Sequence, residues 1–222
     1  MKFLNSKIGR WAVMSLAVVS FGIMTNAAKA DRLADVKKAG ILHCGVVPGV
    51  PGYGFPNKAG KMVGFDIDLC RAVAAAVLGD ADKIKTTKMK LPVAFNAMKA
   101  GTVDVVTHRF TWTFARDVGL GLDFTRVMVF DGQGFMVRKS LGVKSGKELN
   151  GATFCMSAGA TTQGNVSDYF RKNGMKFKQV TFGSMGEAQK AYDAKRCDAY
   201  VADKFGLGAR RMSMTNPDEH MV

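Results

Sequence analysis

Two short polar clusters carry the charge types needed to hold a zwitterion. Thr107-His108-Arg109 follows an apolar stretch at 103–106, and Asp203-Lys204 follows another at 199–202. Arginine presents a planar fork of donors that matches a carboxylate two bonds at a time, and aspartate accepts charge-assisted bonds from an ammonium. A cation on one wall of a cleft and an anion on the other would therefore suit a free amino acid. The clusters are related by an internal echo: Ala94, Ala97, Ala100 and Asp104 recur at Ala188, Ala191, Ala194 and Asp198, each 94 residues on. Both copies read as an alanine-faced helix, a tight turn, an aspartate and an apolar strand. In open α/β sheets, ligands bind at the carboxyl ends of the strands, where these clusters fall.

Other chemistry is poorly served. The chain has three histidines, of which His43 lies within a strand pattern and His220 near the end, leaving His108 as the one candidate acid or base. There is no Gly-x-Ser-x-Gly elbow, no His-Glu-x-x-His pair and no phosphate loop. Four cysteines, Cys44, Cys70, Cys155 and Cys197, lack the spacing of a zinc site. No cofactor and no metal is expected. As an even set in an oxidising compartment the cysteines suggest disulfides in any of three connectivities, and buried free thiols are the alternative.

The elements that must position these residues alternate. Strand patterns occupy 41–47, 84–89 and 103–106, with helices over 66–78 and 93–100. A second series has extended chain at 130–137, strands at 153–156, 177–182 and 199–202, and helices over 161–172 and 185–194. Alternation of β and α predicts an α/β fold with a parallel sheet in each half, covered on both faces.

Lys2, Lys7 and Arg10 precede an uncharged apolar run at 11–24, and Ala28-Lys29-Ala30 supplies a small-x-small cleavage pattern. Residues 1–30 thus read as a secretory signal peptide, too short in its apolar run to span a bilayer. The formal net charge is +14, with four of the positive charges in that leader. The remaining Lys and Arg are spread without basic runs or interleaved aromatics, so a solvated basic surface is expected and no nucleic-acid partner.

Gly64-Phe65-Asp66-Ile67-Asp68-Leu69, followed by Val73-Ala74 and Val77, resembles the signature of the bacterial extracellular solute-binding proteins for polar amino acids. Further stretches are similar to the general L-amino-acid-binding branch of that family: Asp68 to Asp80, Thr111-Trp112-Thr113, Arg116-Asp117, Asp131 to Val137, Leu141 to Ser145, and Arg196-Cys197-Asp198. The resemblance implies a two-lobed periplasmic-binding-protein fold of type II, with 31–130 as the first lobe and 131–222 as the second. It implies a periplasmic monomer that binds a free L-amino acid in the cleft and delivers it to the membrane permease of an ABC transporter. An enzyme of the same fold, dehydratase-like, and a ligand-sensing module are the alternatives.

Carried over by position, the carboxylate-binding arginine falls on Arg116 and the ammonium-binding aspartate on Asp203. Thr111 supplies a hydroxyl, Thr161 a backbone donor at a helix start, and Tyr53 or Phe55 an aromatic lid. On the residues alone, Arg116 could instead pair with Asp117, and Asp203 could cap the helix after it. The resemblance also pairs Cys44 with Cys70 and Cys155 with Cys197. Two departures stand out. Where the branch has Arg-Asn-Thr, this chain has His108-Arg109-Phe110, which places an extra cation, Arg109, at the cleft wall and predicts a bias toward acidic or amide side chains. The family's chain also returns to the first lobe with a final strand and helices, whereas this one ends at Val222; the expectation is an incomplete first lobe.

Overall fold

The computed structural model describes residues 31–222, so the signal-peptide reading of 1–30 lies outside the described residues. In chain order the elements are α1 (Arg32–Ala39), β1 (Leu42–Val46), β2 (Phe55–Pro56), β3 (Met62–Val63), α2 (Phe65–Leu78), β4 (Ile84–Lys88), α3 (Leu91–Lys99) and β5 (Val105–Thr107). A π-turn at Ala115–Gly119 follows, then β6 (Gln133–Arg138), β7 (Thr153–Ser157), α4 (Thr162–Lys172), β8 (Lys178–Phe182), α5 (Met185–Asp193), β9 (Ala199–Asp203), α6 (Lys204–Arg211) and β10 (His220–Met221).

β1, β4 and β5 form a three-stranded sheet in the order β4–β1–β5, all parallel. The α2 helix enters through Gly64 at φ 113°, where an added Cβ would lie 2.3 Å from the Tyr53 carbonyl oxygen, so no other residue fits. Pro92 lies in the first turn of α3, where its missing N–H costs nothing. Val36, Leu42, Cys44, Cys70 and Ala74 pack together beneath this sheet, and the Cys44–Cys70 disulfide ties β1 to α2.

The second sheet has five strands in the order β10–β6–β9–β7–β8. β7 runs parallel to β8 and β9, but β6 is antiparallel to both β9 and β10. The expectation of a parallel sheet in each half is therefore corrected here: this sheet is mixed. The chain between β6 and β7 contains two short 3-10 turns, Lys139–Leu141 and Gly146–Glu148, and no crossover helix, so it returns in the opposite direction. Successive β-residues face opposite layers. Met136, Cys155 and Tyr200 pack with Tyr192 and Leu207 on one face, while Val137, Phe154, Ala199 and Val201 pack with Val166 and Phe170 on the other. The Cys155–Cys197 disulfide joins β7 to the turn before β9, so both pairings implied by the resemblance are present.

The echo has a structural counterpart. In the first sheet Asp104 accepts from the His43 N–H at 2.7 Å through Oδ2, and its own N–H donates to the His43 carbonyl at 2.8 Å. In the second, Asp198 makes the same pair of bonds with Thr153, at 2.7 and 2.8 Å. Each aspartate clamps the start of the strand that follows it to a central neighbour. The predicted elements match within a few residues; α1, the β2–β3 hairpin and the π-turn had no counterpart in the sequence reading, and α6 and β10 were given no bounds there.

Candidate ligand-binding cleft

The carboxyl ends of β5, β7 and β9 converge on a cavity of about 20 Å³. Its lining includes Arg109, Phe110, Thr111 and Arg116 from the chain after β5, and Ser157, Thr161, Tyr200 and Asp203 from the second sheet and its turns. Five of the six residues expected from the sequence therefore lie in one place. Tyr53 is not in the lining, but its ring lies 4.3 Å beneath the Arg109 guanidinium and meets Phe65 edge-on.

Arg116 is held by the π-turn, which anchors its backbone N–H on the Thr113 carbonyl. Its guanidinium rests near the Phe95 and Phe110 rings, 5.1 and 5.5 Å away. Nη1 donates to the Thr111 carbonyl at 2.9 Å and Nη2 to the Gly159 carbonyl at 3.1 Å. One arginine thus bonds backbone from both sides of the cleft. It forms no ion pair with Asp117, which instead accepts from Trp112 Nε1 at 2.6 Å. Burial lowers the Arg116 pKa from its ordinary value, and nearby Asp203 opposes that shift.

Asp203 ends β9 and stands at the N-cap of α6, yet its side chain caps nothing. Asp131 takes that role, accepting the Phe205 N–H at 3.2 Å through Oδ2. The Asp203 carboxylate is left to the cleft. Burial raises its pKa above the ordinary 3.8, Asp131 adds to the rise, and Arg109 and Arg116 oppose it. Thr161 precedes α4 at the position where a helix start offers free N–H groups to an anion. Thr111 Oγ1 and Thr161 Oγ1 sit 3.3 Å apart across the cleft.

Deeper in, His108 and Asp66 are almost wholly buried, with Nδ1 3.7 Å from Oδ2, too long for a hydrogen bond. Burial lowers the His108 pKa below 6.5 and Asp66 partly restores it, so the imidazole is neutral at neutral pH. The site also uses residues the sequence reading did not single out. Ser157 ends β7, and the rule that placed Arg109 and Asp203 at strand ends would have found it. Tyr200 and Met185 offered no such signal, since neither stands at the carboxyl end of a predicted strand. A larger cavity of about 470 Å³ lies beside β6 and β10, lined by residues such as Val137, Leu149 and Val166; it holds lysines but no Asp or Glu side chain, so it lacks the paired charges of the cleft. No helix among the described residues is long and apolar enough to cross a membrane.

A profile of the bacterial extracellular solute-binding proteins, family 3, matches residues 42–179. The General L-amino acid-binding periplasmic protein AapJ of Rhizobium johnstonii is 44% identical over 95% of this chain and 61% of its own length. The Glutamate/glutamine/aspartate/asparagine-binding protein BztA of Rhodobacter capsulatus is 44% identical over 93% of this chain and 61% of its own. The chain thus spans about three fifths of the length of these curated relatives. Among solved structures, an ABC transporter periplasmic binding protein from Brucella ovis with glutathione bound superposes with a TM-score of 0.82 at 46% identity, covering 86% of this chain and 60% of that one. An ancestral arginine-binding protein bound to arginine gives 0.71 at 30% identity, covering 82% and 77%. With the mixed α/β halves and the cleft at their strand ends, these likenesses show that the chain belongs to the bacterial extracellular solute-binding proteins, family 3.

Proposed function

We propose that this chain captures a free L-amino acid in the periplasm for an ABC import system, as a binding protein and not an enzyme. Residues 31–130 act as one lobe and 131–222 as the other, and the amino acid lies between them. The observation that carries this reading is the convergence of Arg116 and Asp203, from different halves, on one cavity, with neither in an ion pair among the described residues. Arg116 takes the α-carboxylate with its fork, helped by the backbone at Thr161, and Asp203 takes the ammonium. Thr111 adds a hydroxyl at the seam, and Tyr53 backs Arg109. The names of AapJ and BztA support the ligand class. Loaded protein is then handed, as a monomer, to a membrane permease.

A cavity of about 20 Å³ admits about one water and no amino acid. Entry of ligand therefore requires the halves to part and Arg116 to release the Gly159 carbonyl. Calorimetric titration of the purified chain against the twenty amino acids tests the reading. Saturable binding is expected, weakened at least about tenfold by Arg116→Ala and by Asp203→Ala. Binding that survives both substitutions would overturn the assignment of these residues.

A further inference from the structure

We propose that Arg109 and Arg210 form a second anion subsite that takes the side-chain carboxylate of a dicarboxylic L-amino acid. This rests on the amino-acid reading of the cleft and adds a substrate class to it. Arg210 lies on α6, is 3% exposed, and is not among the residues lining the small cavity. Its Nη1 donates to Gln189 Oε1 at 2.9 Å, but Nε and Nη2 are buried without a partner among the described residues. Arg109, from the chain after β5, has the same two atoms buried and unpartnered.

The two arginines cross the cleft in opposite directions. A Cβ added to Gly206 of α6 would lie 3.1 Å from Arg109 Nη1, and one added to Gly49 of the loop after β1 would lie 3.3 Å from Arg210 Nη2. Gly206 and Arg210 are four residues apart and share one face of α6. Burial lowers the Arg210 pKa, and the Arg109 charge, felt at Arg210, also lowers it. Glycine at each position lets a guanidinium approach the backbone closely.

Among the described residues, no carboxylate lies within ion-pair distance of either arginine. Two neighbouring cations, one buried and one partly buried, with four buried nitrogens lacking partners are costly unless an anion joins them. Asp203 feels the charge of Arg109, and it is the group assigned to the ammonium. The remaining donors match a second carboxylate. A carboxamide would turn its own N–H donors toward donors and satisfy fewer of them. Tyr200 stands beside both guanidiniums and lines the cavity, which connects the subsite to the main site.

The test is calorimetry on the full chain with glutamate, aspartate, glutamine, asparagine, glutarate and inorganic phosphate. The acids should bind at least about tenfold tighter than their amides, and Arg210→Gln should bring that ratio close to one. Arg210→Lys should restore part of it. If circular dichroism shows Arg210→Gln unfolded, Arg109→Gln makes the same comparison. Equal affinity for acid and amide, or an unchanged ratio in folded Arg210→Gln, overturns the subsite and leaves the amino-acid reading standing. Glutarate bound while no amino acid binds supports the subsite and overturns that reading. Phosphate that displaces glutamate and loses binding in Arg210→Gln assigns the arginines to a free oxyanion and overturns the proposal.

Discussion

The two halves share one device and differ in almost everything around it. Asp104 and Asp198 clamp their sheets by the same pair of backbone bonds, but the five-stranded sheet is filled on both faces by large rings. Phe154, Phe170 and Phe177 lie within 5.1–5.6 Å of one another, and Tyr192 and Tyr200 are fully buried on the opposite face. The three-stranded half packs valines, alanines and its disulfide, and the segment leading away from it leaves Phe114 and Phe130 at 80% and 85% exposure. Burial of apolar area dominates folding stability, so the shared clamp cannot equalise the halves. Local geometry is set by a few polar bonds, and stability by how much ring and aliphatic surface the sheet can cover.

The largest expected effect sharpens this contrast. Replacing Cys44 and Cys70 by Ala should cost about 3–4 kcal/mol and separate an early unfolding transition of the three-stranded half from a later one. Replacing Cys155 and Cys197 should cost a similar amount while the aromatic half keeps a cooperative transition. Urea unfolding followed by circular dichroism and tryptophan emission reads both, since Trp112 lies in the segment after β5. A single transition in both variants would break the comparison.

A smaller effect separates the clamps themselves. Asp104 also holds Arg32 of α1 in an ion pair, whereas Asp198 has no such partner among the described residues. Asparagine keeps the acceptor and loses the charge, so Asp104→Asn should cost about 1–2 kcal/mol and Asp198→Asn less than about 1. Arg32 is half exposed, which holds the difference down. Equal losses in denaturant midpoints would show that the ion pair contributes nothing.

The smallest effect concerns pH. Burial lowers the pKa of His108 in one half and of His220 in the other, the latter with Nδ1 2.8 Å from the Tyr192 hydroxyl. Burial raises the Tyr192 pKa to about 12, so its hydroxyl stays protonated in this hydrogen bond with the imidazole. A histidine whose folded pKa lies below the unfolded 6.5 binds more protons when unfolded, so stability is lost as pH falls from 6.5 toward the folded value. His108 faces Asp66, Arg109 and Arg116 in a more completely buried site. Melting between pH 7 and 5 should therefore flatten more in His108→Gln than in His220→Gln, and the reverse order would contradict it.

Much of the fold was legible in the sequence because helix and strand periods are local. α2 was expected from 66 to 78 and runs Phe65–Leu78; β7 was expected at 153–156 and runs Thr153–Ser157. The echo located both clamp aspartates, whose spacing from an alanine face is local, but not their partners His43 and Thr153, 61 and 45 residues away. α1 was missed although Asp31 and Gly40 cap it, because a single buried residue, Val36, leaves almost no apolar period to read.

By itself, the sequence determined the alternation of elements, the strand ends where charge collects, Arg109 among them, and, through family resemblance, the cysteine pairs and four more of the residues around the cavity. Only the tertiary structure decided which partner each charged group takes. Asp117 and the N-cap of α6 were equally good local partners for Arg116 and Asp203. Trp112 claimed the first and Asp131 the second, releasing both residues into the cleft. The antiparallel entry of β6 and the meeting of Arg109 with Gly206 likewise join segments far apart in the chain. Such choices depend on distances between distant segments, which no local pattern encodes.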